Sequence, residues 1–163
     1  MRYNSKYLSK ELSEKEVLNK LYRYCAYQER AISDVDKQLN RYRIEEKLKN
    51  NIIEKLIEEG FLNEERYTKT YVFGKLRNNK WGRIKITQGL KEKSIDSHII
   101  HKVIDTIEEE EYIKIINNLI VKREALLRTE DIFIRKNKLA RYIISKGFEN
   151  TIVWDQINEL IKN

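Results

Sequence analysis

Leu56-Ile57-Glu58-Glu59-Gly60-Phe61-Leu62-Asn63-Glu64-Glu65-Arg66-Tyr67 reads as the end of one helix and the start of another. Gly60 suits the left-handed residue that closes a helix. Asn63 is placed to cap the helix that follows, and Leu62 to pack across its first turn onto Tyr67. The stretch therefore predicts a reversal between helices, with the second running to about residue 79. Upstream, Leu12-Ser13-Glu14-Lys15-Glu16-Val17 has the same form. Ser13 can accept from the Glu16 amide while Glu16 reaches back, and Leu12 can staple onto Val17. Val17, Leu18, Leu21, Tyr24 and Cys25 then recur at the helical period to about residue 28 and describe one buried stripe.

Extending this reading in both directions gives helices only. They are expected over 33–42, 45–59, 82–93, 96–107, 109–128, 130–146 and 149–162, with Gly147 marking the break before the last. The chain has no proline and five glycines, at 60, 74, 82, 89 and 147, so few positions interrupt a helix.

The pattern also repeats. Shifted by 51, Leu39, Ile44, Leu48, Ile52, Ile53 and Leu56 fall on Leu90, Ile95, Ile99, Val103, Ile104 and Ile107. Shifted by 53, Ile86, Leu90, Ile95, Ile99, Ile100 and Ile104 fall on Leu139, Ile143, Phe148, Ile152, Val153 and Ile157. The expected architecture is all-α: three tandem three-helix repeats over 13–60, 61–107 and 108–163, after an N-terminal tail over 1–12. Repeats of this kind stack in a line, which predicts an elongated array.

Of 163 residues, 36% are charged and 40% hydrophobic, the balance of a soluble globular chain. No stretch approaches the roughly 18 apolar residues of a spanning helix, and the first residues lack a secretory apolar core. The cytoplasm is the expected location. Cys25 is the only cysteine, excludes an internal disulfide, and reads as a small packed hydrophobe.

The residues do not converge on catalytic chemistry. His98, His101 and Asp105 share a helical face but lack a thiolate partner or a metalloenzyme signature, so they read as ordinary surface groups. Gly82-Arg83-Ile84-Lys85 has one glycine and lacks the Gly-Lys-Ser/Thr ending of a phosphate loop. No enzyme, cofactor or metal is expected.

Charge is more informative. Lys and Arg outnumber Asp and Glu by 33 to 26, a net +7, which makes a polyanion a plausible partner. In the middle repeat Arg66, Lys69, Lys75, Arg77, Lys80, Arg83, Lys85, Lys91 and Lys93 are interrupted by one acid, Glu92. Tyr67, Tyr71, Phe73 and Trp81 interleave with them. Tyr67 and Tyr71 have core spacing, whereas Trp81 falls in a short connection and is the expected exposed ring. These nine cations and Trp81 are the candidate nucleic-acid or filament contacts. Lys122, Arg123, Arg128, Arg135, Lys136, Lys138, Arg141 and Lys146 form a second basic set. Glu108 to Glu111 head a helix, where they suit its positive dipole end.

At Leu56 to Tyr67, continued by Lys80-Trp81-Gly82-Arg83-Ile84, Leu90 and Lys93-Ser94-Ile95, the chain resembles the bacterial RecX regulatory proteins. Cys25-Ala26-Tyr27-Gln28-Glu29-Arg30 is also similar to some branches. The resemblance covers about residues 14 to 162, with its specific part in the centre. Three places depart from the family pattern. Asn63-Glu64 replaces an acid pair, Tyr67-Thr68 replaces Phe-Ala, and Ser94 stands where glycine is common. The resemblance implies a curved array lying in the groove of the RecA filament. It would modulate, most simply inhibit, RecA in recombination, DNA repair and the SOS response. The implied partners are the RecA filament and single- or double-stranded DNA, with a monomer as the acting form. Two other readings stay open: an independent DNA- or RNA-binding helical protein, and a structural adaptor for another protein.

Overall fold

The computed structural model describes residues 12–42, 44–128 and 131–162, so the expected tail over 1–12 lies outside it except for Leu12. The described residues form nine α-helices and one short 3-10 helix. In chain order these are α1 (Glu14–Tyr27), α2 (Ile32–Leu39), the 3-10 turn Asn40–Tyr42, α3 (Glu46–Glu58), α4 (Glu64–Arg77) and α5 (Arg83–Glu92). Then come α6 (Ser97–Ile104), α7 (Glu109–Glu124), α8 (Ile132–Ser145) and α9 (Asn150–Leu160). The fold is all-α, as expected. No described helix is long and apolar enough to cross a membrane. The chain divides into two compact units, residues 1–64 and 65–163.

The first unit holds α1 to α3. The capping box at its start is formed as read: the Glu16 amide donates to Ser13 Oγ, and Ser13 N donates to Glu16 Oε2 at 2.8 Å. The α1 stripe, Val17, Leu18, Leu21 and Cys25, packs with Val35, Leu39, Ile52, Leu56 and Leu62, and Leu12 lies against this core. Burial pushes the Cys25 thiol up, in keeping with a packed rather than reactive group. The second expected helix divides in two. After Leu39 the last turn tightens into the 3-10 segment, one way of satisfying end carbonyls.

The second unit holds α4 to α9. Its core includes Val72, Leu76, Ile86, Leu90, Ile100, Ile116, Leu139, Ile143, Phe148, Val153 and Ile157, all fully buried. Asp96 caps α6 by accepting from His98 N at 2.8 Å, and Asp131 caps α8 by accepting from Ile134 N at 2.8 Å. The seventh helix ends at Glu124, short of the expected 128, where Leu126 N and Leu127 N donate three residues back to Arg123 O and Glu124 O.

Internal repetition reaches the backbone. Lys93 and Lys146 cap α5 and α8, and the next residues, Ser94 at φ 61° and Gly147 at φ 90°, are both left-handed. The pairs 93/146 and 94/147 stand at the same offset of 53 as the apolar positions.

Candidate nucleic-acid interface

The basic stretch of the middle helices is sorted into three groups by what each side chain touches. The first is bound to acids of α7 and of the α9 N-cap. Arg77, on the last turn of α4, makes a two-pronged pair with Glu111, Nε to Oε1 at 2.7 Å and Nη2 to Oε2 at 3.0 Å. Its Cζ also lies 4.7 Å from the Phe73 ring centre. The Arg77 hydrogen bond holds the Glu111 carboxyl below its ordinary range, and Glu111 in turn raises Arg77.

Arg83, the first residue of α5, is more enclosed, with a side chain 20% exposed. Its Nη2 donates to Glu109 Oε2 at 2.8 Å, its Nη1 lies 3.6 Å from Glu149, and its Cζ is 3.9 Å from the Tyr112 ring centre. The buried Tyr112 hydroxyl accepts from Arg83 N at 3.0 Å and donates to Glu149 Oε2 at 2.6 Å. Burial is the largest influence on both groups. It drives the Tyr112 hydroxyl strongly up, with the Glu149 bond adding to it. It opposes the Arg83 charge, but Glu109 leads the groups that reverse this and leave that guanidinium raised.

Backbone contacts at the same place fix the α5 start against the α8–α9 turn. Gly82 N donates to Lys146 O at 2.9 Å and Ile84 N to Gly147 O at 3.0 Å. Arg77 and Arg83 therefore join α4 and α5 to α7 and α9. Half of the acidic run at Glu108 to Glu111 serves this joint, a role that helix-dipole reasoning does not reveal.

A second group gathers around an aromatic ring. Lys75 Nζ lies 4.7 Å and Lys85 Nζ 4.6 Å from the Trp81 ring centre, and Lys75 also lies 5.4 Å from Tyr71. Trp81 is half-buried beneath them. Tyr67 is core at 7% exposure, while Tyr71 and Phe73 are half-buried.

The third group is peripheral. Lys69 pairs with Glu65 at 3.0 Å, and Lys102 pairs with the same carboxylate at 2.9 Å. Those two ammonium groups, Lys102 foremost, hold Glu65 below its usual range. Arg66, Lys80 and Lys91 are exposed, and Lys93 is half-buried at the end of α5. Lys80 adopts the left-handed conformation, φ 55°, and its Nζ donates back to Arg77 O. Lys91 rims an open hollow of about 550 Å³ shared with Arg83, Ile84, Thr87, Gln88 and Ile104.

In the third set of helices Tyr142 has a similar neighbourhood. Arg123 Cζ lies 4.6 Å and Lys146 Nζ 5.3 Å from its ring centre. The basic composition of this segment is plain in the sequence, but its association with Tyr142 is not. Arg135 lies 3.7 Å from Glu124, and Lys136 donates to Asn158 at 3.1 Å. Among the described residues, no three His, Cys, Asp or Glu side chains are grouped to hold a metal ion. His98, His101 and Asp105 are exposed on α6 and its cap.

Residues 63–104 match the family model described as RecX, second three-helix domain. A regulatory protein RecX of Clostridium acetobutylicum is 28% identical over 153 residues, covering 85% of this chain and 69% of the relative. One of Streptococcus uberis is 29% identical over 133 residues, covering 80% of this chain and 50% of the relative. The chain thus spans about two thirds of the first relative and half of the second. The crystal structure of RecX from Lactobacillus salivarius superposes with a TM-score of 0.83 at 24% identity, over 90% of this chain and 96% of that one. Over residues 63–104 the chain matches the second RecX domain, and over most of its length it is similar to regulatory RecX proteins.

Proposed function

We propose that this protein is a regulator of RecA that binds the RecA–DNA filament and lowers its activity in recombination, repair and the SOS response. The observation that carries the reading is the match of residues 63–104, the segment containing the specific motifs, to the second RecX domain. The three repeats of 13–60, 61–107 and 108–163 would act as one monomeric, cytoplasmic chain with no catalytic step of its own. Lys75, Lys80, Trp81, Lys85 and Lys91, with Arg66, Lys69 and Lys93 at the margins, would face DNA or filament. Arg77 and Arg83 would hold the joint on which this face is built. Co-sedimentation with RecA assembled on single-stranded DNA tests the reading. The protein should pellet with filaments, and retention in the supernatant at saturating RecA would oppose it.

The lysines around Trp81 favour a second reading, a nucleic-acid binder acting without RecA. Salt-sensitive DNA binding together with failure to pellet with filaments would select it.

A further inference from the structure

The two ring clusters lie on either side of one joint. Trp81 immediately precedes Gly82, whose amide is bonded to the carbonyl of Lys146, and the Lys85 side chain begins against Gly147. Lys85 from the Trp81 cluster and Lys146 from the Tyr142 cluster are thus brought together by the α5 to α8–α9 contact. Among the described residues, none of Lys75, Lys85, Arg123 and Lys146 has an acidic partner. Arg123 Nε is moreover buried without a hydrogen-bond partner. Glu109, Glu111 and Glu149 pair with Arg77 and Arg83 instead.

An ammonium or guanidinium over a ring face occupies the position that a stacked base would need, while the ring limits where that cation can go. Cations held in this way and lacking acids suit phosphate groups, and at Trp81 and Tyr142 they compete with a base for the ring.

We propose that Lys75, Lys85, Arg123 and Lys146, positioned by Trp81 and Tyr142, form one track across the joint for the sugar–phosphate backbone of a nucleic acid, read without base contacts. This deepens the DNA-facing part of the proposed function and rests on it. The rings are positioning residues. The track crosses from the second set of helices to the third.

The test compares binding of the full chain to a labelled single strand and to an abasic strand of equal length, each across a salt series. The two strands should bind within about threefold of each other. Lys75→Gln with Lys85→Gln, and separately Arg123→Gln with Lys146→Gln, should each lower the salt slope by about 1.4 on both strands, about 0.7 per lost phosphate contact. Trp81→Leu should weaken both strands equally, with the slope falling toward that of the lysine pair variant. Circular dichroism establishes that each variant is folded. Binding of the abasic strand weaker by about tenfold or more would overturn the inference in favour of stacking. An unchanged slope in Arg123→Gln with Lys146→Gln would overturn the continuous track. If the wild-type chain binds neither strand, the inference falls together with the DNA-facing reading, whereas filament co-sedimentation would still stand.

Discussion

Gly82 and Gly147 meet backbone to backbone. A β-carbon on Gly82 would lie 2.2 Å from the Gly147 carbonyl oxygen, and one on Gly147 would lie 2.3 Å from Lys85 Cβ. Gly147 also has φ 90°, which side-chain-bearing residues rarely adopt. The joint between the α5 start and the α8–α9 turn is closed enough to admit no added atom at either position. Gly82→Ala should therefore destabilise the second unit by roughly 3 kcal/mol, because the obstructing atoms are backbone and cannot rotate away. Thermal unfolding followed by circular dichroism measures it, and a variant as stable as the wild type would contradict the close contact.

Tyr112 supports the same joint from beneath. Its hydroxyl serves Arg83 N and Glu149 together, and the side chain is fully buried. Tyr112→Phe keeps the ring under Arg83 but leaves a half-buried amide without its acceptor, at a cost of about 1 kcal/mol or more. Chemical denaturation should show the midpoint falling with little change in slope.

Ser94 occupies the left-handed position that Gly147 fills in the following repeat. A residue with a β-carbon there costs about 1–2 kcal/mol, offset in part by the greater unfolded-state freedom of glycine. Ser94→Gly should raise stability by about 0.5–1 kcal/mol, read as a melting temperature about 1–4 °C higher. A fall in melting temperature would contradict the assigned backbone conformation.

Glu111 titrates below its ordinary value because Arg77 grips it. A carboxyl depressed in the folded chain stabilises fully above its unfolded value, near 4.5, and that contribution is lost as pH falls through the lowered folded value. Arg77→Gln should leave the melting temperature less dependent on pH below about 4.5 than the wild type. Equal acid sensitivity in the two proteins would contradict the pairing.

Much of the fold is legible in local chemistry. Ser13 and Glu16 satisfy each other as their spacing demands, and the apolar offsets of 51 and 53 fall on core positions such as Leu39, Leu90, Ile143 and Val153. The start of α8 is read less well: it is expected at 130, whereas Asp131 caps a helix that begins at Ile132. The candidate site is less legible. Composition marks nine cations in the middle segment but carries nothing about their partners. Arg77 and Arg83 meet Glu111, Glu109 and Glu149, which are 26 to 66 positions away in sequence. Such pairs depend on how α7 and α9 pack, which the helical period of α4 and α5 does not specify. Reversing Arg77 or Arg83 would accordingly loosen the joint as well as alter the surface. Lys75 and Lys85 are the more discriminating targets.

The regulatory claim is tested most directly by single-stranded-DNA-dependent ATP hydrolysis by the cognate RecA, with this protein titrated from well below equimolar. The account predicts inhibition at substoichiometric amounts, as expected of a chain that limits filament growth. Undiminished hydrolysis at a molar excess, with DNA binding intact, would contradict it and leave the chain as a nucleic-acid binder in its own right.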